Sequence, residues 1–134
     1  MASVKVIIEK SNQGFSAYLP ELQGCICTSD HIDPLKKELE KAIEFHLAGM
    51  REDHLQIPEV FQQEYSLEYT FDVETFLNYY HHIFTRRALS RITGINESLL
   101  SQYATGIKQP RQAQSKKIET GLHQLAKELL QIRL

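Results

Sequence analysis

The segment Thr85–Gly106, TRRALSRITGINESLLSQYATG, constrains this chain more than any other stretch. It reads as two short helices joined by a tight turn. Leu89, Ile92 and Ile95 supply the apolar contacts of the first helix and the turn, and Leu100 and Tyr103 form the buried face of the second. Ser90 is small where two helices cross closely, and Gly94 sits where the turn wants a left-handed backbone. Burying those positions leaves Asn96, Glu97, Ser98, Ser101 and Gln102 pointing outward. Such a polar set suits base edges in a major groove, so the segment reads as a DNA-binding helix-turn-helix. Helical hairpins with no DNA role share the spacing, and a second signal has to decide.

Charge is that signal. Met1 to Ile83 holds six Lys/Arg against fourteen Asp/Glu, a net −8, while Phe84 to Leu134 holds nine against three, a net +6. The overall −2 therefore hides a bipolar chain. The basic half contains the helix pair, as phosphate neutralisation requires, and a merely solvated basic face predicts no such coincidence. Arg86 and Arg87 fall in the first turn of a helix, where positive side chains oppose the macrodipole unless a phosphate lies nearby. Lys108 and Arg111, in the loop after the second helix, are assigned to the same backbone contact. Gln102 carries an amide that can bond adenine bidentately.

The 134 residues allow one ordinary domain or two small ones, and 42% hydrophobic content supports a packed core. No apolar run approaches membrane-spanning length and MASVKVIIEK lacks a signal-peptide profile, so a cytoplasmic location is expected. Cys25 and Cys27 form a C-x-C pair too close for an ordinary disulfide. With only His31 nearby, and no fourth ligand, they read as small buried thiols, with no metal or cofactor expected. His81-His82 sit in helical sequence, where adjacent side chains point about 100° apart and cannot chelate together. No Ser, Cys or His stands in a recognisable hydrolase setting, so the chain does not read as an enzyme.

Along the chain, Val4 to Glu9 predicts a strand with Val4, Val6 and Ile8 on one face. A turn at Asn12-Gln13-Gly14 leads to a second strand through Phe15, Ala17 and Leu19, and a third is expected from Cys25 to Thr28. A helix follows, with Asp33 as cap, Pro34 in the first turn and a stripe of Leu35, Leu39, Ala42, Ile43, Leu47 and Met50. Its other side carries Lys36, Lys37, Glu38, Glu40, Lys41 and Glu44. Arg51 to Gln63 reads as a loop with Ile57-Pro58. Tyr65, Leu67, Tyr69 and Phe71 then alternate with Ser66, Glu68 and Thr70 in a last strand. The order βββαβ makes a compact α+β unit over residues 1–71, followed by an all-α unit over 72–134. In the latter, Asp72, Thr85 and Asn96 read as N-caps, with staple pairs Phe71–Phe76, Phe84–Leu89 and Ile95–Leu100. Gln109-Pro110 opens a last helix with Ile118, Leu122, Leu125, Ala126 and Leu129 on one face, weakened by Gly121.

The run IIEKSNQGFSAYLPELQGCICTSDHIDPLKKELEKAIEFHLAGM resembles the HicB antitoxins, most specifically in the Pro-Glu-Leu-x-Gly-Cys segment at 20–25. The later HHIFTRRALSRITGINESLLSQY is similar to the Xre/Cro-type DNA-binding domain that many HicB proteins carry. The resemblance implies a partial RNase H-like fold for the first unit. It also implies an antitoxin that covers a small basic HicA-type mRNA-cleaving toxin, and a second unit that binds the operator of the shared operon. The acidic first half suits a basic toxin and the basic second half suits double-stranded DNA. RNase H-like activity is not carried over, because Glu9 and Glu21 are the only acids near the first hairpin. Phe15 and Tyr18 are taken as toxin contacts, and His46 stays open between surface residue and toxin contact. One helix-turn-helix contacts few base pairs, so a homodimer or higher homo-oligomer is expected, built on Leu129, Leu130 and Ile132. The alternative is a single-component transcriptional regulator whose first domain senses a ligand or dimerises, and an RNA-binding module is a third reading.

Overall fold

The computed structural model describes residues 1–12 and 14–134, so the expected turn at Asn12-Gln13-Gly14 falls in part, at Gln13, outside the described residues. Among the described residues the architecture is mixed α+β, a four-stranded sheet and five α-helices in two units, Met1–Asp72 and Val73–Leu134.

In the first unit, alternation of side chains builds β1 (Ala2–Ser11), with Val4, Val6 and Ile8 buried. It pairs antiparallel with β2 (Gly14–Tyr18), which pairs antiparallel with β3 (Ile26–Ser29). β3 starts one residue later than expected. The N–H of Cys25 is held by the Leu22 carbonyl at 3.2 Å, which keeps Cys25 in a turn and out of the ladder. β4 (Tyr65–Phe71) runs parallel to β1, giving the order β3-β2-β1-β4.

The crossover to β4 is α1 (Ile32–Glu52). Its N-cap is His31, with no side-chain cap bond, so Asp33 does not cap this helix but lies in its first turn. Starting at Ile32 puts that side chain on the face of Leu35 and Leu39, where it is 2% exposed. Burying an isoleucine contributes about 1.5–3 kcal/mol and outweighs a cap worth about 1 kcal/mol. The helix also runs on through Arg51 and Glu52, where a loop was expected. Lys36 departs from its expected solvated side. Its Nζ lies 4.5 Å from the Tyr69 ring centroid and 5.9 Å from that of Phe71, its stem laid over the sheet. Between α1 and β4, a 3-10 turn at Glu59–Gln62 buries Phe61, which meets Tyr65 edge-on at 5.0 Å.

The second unit consists of α2 (Val73–Tyr79), α3 (Arg86–Thr93), α4 (Glu97–Ala104) and α5 (Gln112–Leu130). Its core is Leu77, Leu89, Ile95, Leu100, Tyr103, Ala104 and Ile118, with Phe76, Phe84 and Ile92 packed against it. Both expected staple pairs of this unit, Phe84–Leu89 and Ile95–Leu100, belong to that cluster. The helical setting expected for His81-His82 is corrected. The N–H groups of Ile83 and Phe84 both bond the Tyr80 carbonyl, so the chain turns there and brings the Phe84 ring to 6.5 Å from that of Tyr80. The start of the last helix is corrected as well. The Arg111 carbonyl takes the N–H of Gln114 and of Ser115, so helical bonding begins there and not at Pro110. Along α5 the covered face also ends early, with Ala126 and Leu129 exposed. Helices of eight residues span about 12 Å and cannot cover nineteen residues spanning about 28 Å.

Gly121 acquires a reason that the sequence did not offer. A Cβ at this buried position would stand 2.5 Å from the Ile92 carbonyl oxygen and 3.4 Å from the Thr93 Cα. Only a residue without a side chain lets α5 come this close to the backbone at the end of α3.

Candidate functional site

Two short helices and the turn between them set the outward polar residues of the second unit. At the start of α3, Thr85 Oγ1 accepts the Ala88 N–H at 3.0 Å, and at the start of α4, Asn96 Oδ1 accepts the Leu99 N–H at 2.8 Å. Between them Gly94 takes φ 76°, the left-handed conformation that a helix C-terminus favours, and its N–H bonds the Ser90 carbonyl at 2.8 Å. The buried Thr93 locks the turn: its Oγ1 donates to the Leu89 carbonyl at 2.6 Å and accepts the Ile95 N–H at 3.2 Å. Asn78 of α2 then donates to the Ala104 carbonyl at 2.9 Å, fixing the end of α4.

On this frame Asn96, Glu97, Ser98 and Ser101 are exposed and Gln102 is half-buried; Ser98, Ser101 and Gln102 project from α4 away from Leu100 and Tyr103, while Asn96 and Glu97 stand at its N-terminal end. Asn96 has a divided task, since its amide oxygen is held by the cap and only its NH2 remains to face outward. Glu97 lies in the first turn of α4, where a carboxylate favours the dipole. The first turn of α3 holds Arg86, half-buried, and Arg87, exposed, and no acid. Lys108 is exposed in the loop beyond α4, tied by its backbone N–H to the Gln102 carbonyl at 3.2 Å, and Arg111 is exposed as N-cap of α5. Beside Lys108 stands Ile107, 73% exposed, which the periodic reading passed over because it belongs to no stripe.

In the first unit α1 covers the sheet face that carries Val4, Val6, Ile8 and Ala17. The opposite face presents Lys5, Ile7 and Glu9 of β1, Ser16 and Tyr18 of β2, Ile26 and Thr28 of β3, and Glu68 and Thr70 of β4. Phe15 and Tyr18 are three residues apart on one strand and therefore face opposite sides. Phe15 shares the helix-covered face with Ala17, whereas Tyr18 lies on the open one and donates from its hydroxyl to Glu9 Oε1 at 3.4 Å. Phe45, 84% exposed on α1, is the aromatic that the helix reading left out; it lies two residues from both Ile43 and Leu47, off the buried stripe.

Both cysteines are free thiols. Burial pushes the Cys25 thiol up, with Cys27 adding to it, and burial pushes Cys27 up, with Glu38 adding to it. That is the opposite of an activated nucleophile. Among the described residues no three His, Cys, Asp or Glu side chains are grouped so as to hold a metal ion. No helix among them is long and apolar enough to cross a membrane.

A two-unit chain of this order, strand-rich and then helical, defines a small α+β protein with a separate helical module. The family model described as HicB_like antitoxin of bacterial toxin-antitoxin system matches residues 4–116, which run from β1 into α5. The chain belongs to that antitoxin family. An uncharacterized 14.9 kDa protein of the rep-hol intergenic region of Haemophilus phage HP1 is 34% identical over 53 residues, covering 40% of each chain. A UPF0150 protein of Helicobacter pylori is 29% identical over 52 residues, 39% of this chain and 72% of that protein. The chain thus spans less than half the length of the phage relative. No solved structure matches.

Proposed function

We propose that the chain is a cytoplasmic, non-enzymatic type II antitoxin that neutralises a small basic HicA-like mRNA-cleaving toxin and represses its own operon by binding DNA. The observation that carries this reading is the family match from residue 4 to 116, because one model spans both the sheet unit and the capped helix pair. The first unit covers the toxin's active site, and its candidate contacts Tyr18 and Phe15 lie on opposite faces of the sheet. Three antiparallel strands, a crossover helix and a parallel fourth strand support a partial RNase H-like reading of that unit.

In the second unit α3, the Gly94 turn and α4 act as the helix-turn-helix. Asn96, Glu97, Ser98, Ser101 and Gln102 read bases, while Arg86, Arg87, Lys108 and Arg111 hold phosphates. The exposed Leu129, Leu130 and Ile132 join two copies, so that paired modules meet half-sites about 34 Å apart.

Co-purification with the product of a neighbouring toxin gene, together with repression of the shared promoter, is the expected result. Loss of either activity in the wild-type chain would remove that half of the reading. Within the DNA half, Arg87→Ala lowers the slope of log affinity against log salt by about 0.9. An unchanged slope would take Arg87 out of the interface.

A further inference from the structure

The open sheet face of the first unit carries an apolar row that the strand register assembles. Ile7 of β1 stands opposite Tyr18 of β2, and Tyr18 stands opposite Ile26 of β3, all three on the face that α1 does not cover. Thr70 of β4 completes the row on the far side of Ile7. Ile7 and Tyr18 are half-buried, and Ile26 is 61% exposed on the edge strand β3. Directly opposed side chains lie about 4.5–5.5 Å apart, so the row forms one continuous apolar strip. An antiparallel sheet face turned to water ordinarily carries polar residues, and here the neighbouring rows do: Glu9, Ser16 and Thr28 on one side, Lys5 and Glu68 on the other. An apolar centre with a polar rim and an aromatic already oriented by its hydroxyl has the anatomy of a contact surface.

Charge selects the occupant. Residues 1–71 hold six Lys/Arg against twelve Asp/Glu, a net −6, so a second copy of this unit brings a like charge while a basic partner brings an opposite one. We propose that this face, centred on Ile7, Tyr18 and Ile26, is where the basic toxin docks. The assignment rests on the antitoxin reading and adds the surface. It places Tyr18 in the contact and Phe15, on the other face, outside it.

The test uses the full-length chain and a catalytically silenced form of the neighbouring-gene toxin, with affinity measured at low and moderate salt. Ile26→Glu and Tyr18→Ala each weaken toxin binding by about thirtyfold or more, a hot-spot-sized loss, while Phe45→Glu on α1 stays within about threefold of wild type. Wild-type affinity falls as salt rises. If Ile26→Glu lowers the melting temperature, Ile26→Thr, which keeps a β-branched side chain, is read in its place. Undiminished binding by the sheet variants, or the main loss at Phe45→Glu, overturns the proposal and leaves the antitoxin reading standing. So does a wild-type self-association that Ile26→Glu abolishes while toxin binding persists. Failure of the wild-type chain to bind the toxin at all removes the antitoxin reading, and the docking face with it.

Discussion

The two units of this chain are specified by different means. In the first, α1 has 21 residues and no side-chain cap, and Leu35, Leu39 and Ile43 place it on a sheet whose Val4, Val6 and Ile8 are fully buried. In the second, α2, α3 and α4 have seven, eight and eight residues. Isolated helices below about 12–15 residues are marginal in water, so here the ends have to carry what length cannot. Thr85, Thr93, Gly94 and Asn96 each fix a terminus through a bond or a left-handed backbone. A long helix is specified by its stripe and a short one by its termini.

The comparison breaks most decisively if the units prove to unfold as one. Leu39 and Leu100 are both 0% exposed, one in each core. Leu39→Ala and Leu100→Ala should each cost about 2–5 kcal/mol, the range for truncating a buried leucine. Amide exchange should show Leu39→Ala loosening residues 1–72 alone and Leu100→Ala loosening residues 73–134 alone. Equal loss of protection across the whole chain in either variant would show one cooperative fold.

How much of this was legible in the sequence follows from the same difference. The caps at Thr85 and Asn96, the Gly94 turn, the Leu100 and Tyr103 face and the alternation from Tyr65 to Phe71 are short-range signals, and all are present. What was missed depends on distant partners. The start of α1 moved from Asp33 because Ile32 could be buried against the sheet, and Lys36 moved to Tyr69, a residue 33 positions on. Periodicity located the buried row and its opposite on the sheet, yet only the strand register revealed that Ile7, Tyr18 and Ile26 are neighbours.

Gly121 sharpens the point, because helix propensity and tertiary contact give opposite signs there. Propensity alone has Gly121→Ala stabilise α5 by about 1 kcal/mol. The Cβ, however, would stand 2.5 Å from a backbone oxygen of Ile92, and backbone cannot swing aside. Overpacking of this kind costs about 1–3 kcal/mol. Thermal melts should therefore place Gly121→Ala below wild type, and a higher midpoint would mean that α5 does not approach α3 so closely.

Asn96 tests whether a terminus that specifies the fold also serves recognition. Asn96→Ala removes the cap to Leu99 and should cost about 1 kcal/mol of stability. Asn96→Asp keeps an oxygen for that bond and should fold as well as wild type, yet it sets a carboxylate where DNA is proposed to lie. Normal melting with weakened operator binding is the expected pair of results for Asn96→Asp. Operator binding undiminished by that charge would place Asn96 in the cap alone.

The smallest effect concerns the first unit at high pH. Burial raises the Tyr65 phenol above its ordinary value of 10.0, Glu44 and Glu40 raise it further and Arg51 opposes them; burial and then Glu40 raise Tyr69. A phenol with a higher pKa in the fold than in the unfolded chain keeps its proton longer when folded. Above about pH 10 the unfolded state therefore binds fewer protons than the native one, and stability falls as pH rises. The contribution is fully present below that pH and is lost as pH rises through the folded-state values. Tyr69→Phe should flatten the alkaline limb of a stability-against-pH curve without changing it near neutrality. Both phenols lie in β4, so the alkaline loss of amide protection should appear within residues 1–72. An alkaline limb that Tyr65→Phe and Tyr69→Phe leave unaltered would mean that neither phenol is shielded by α1, and that the sheet is less covered on that side than Lys36 over Tyr69 implies.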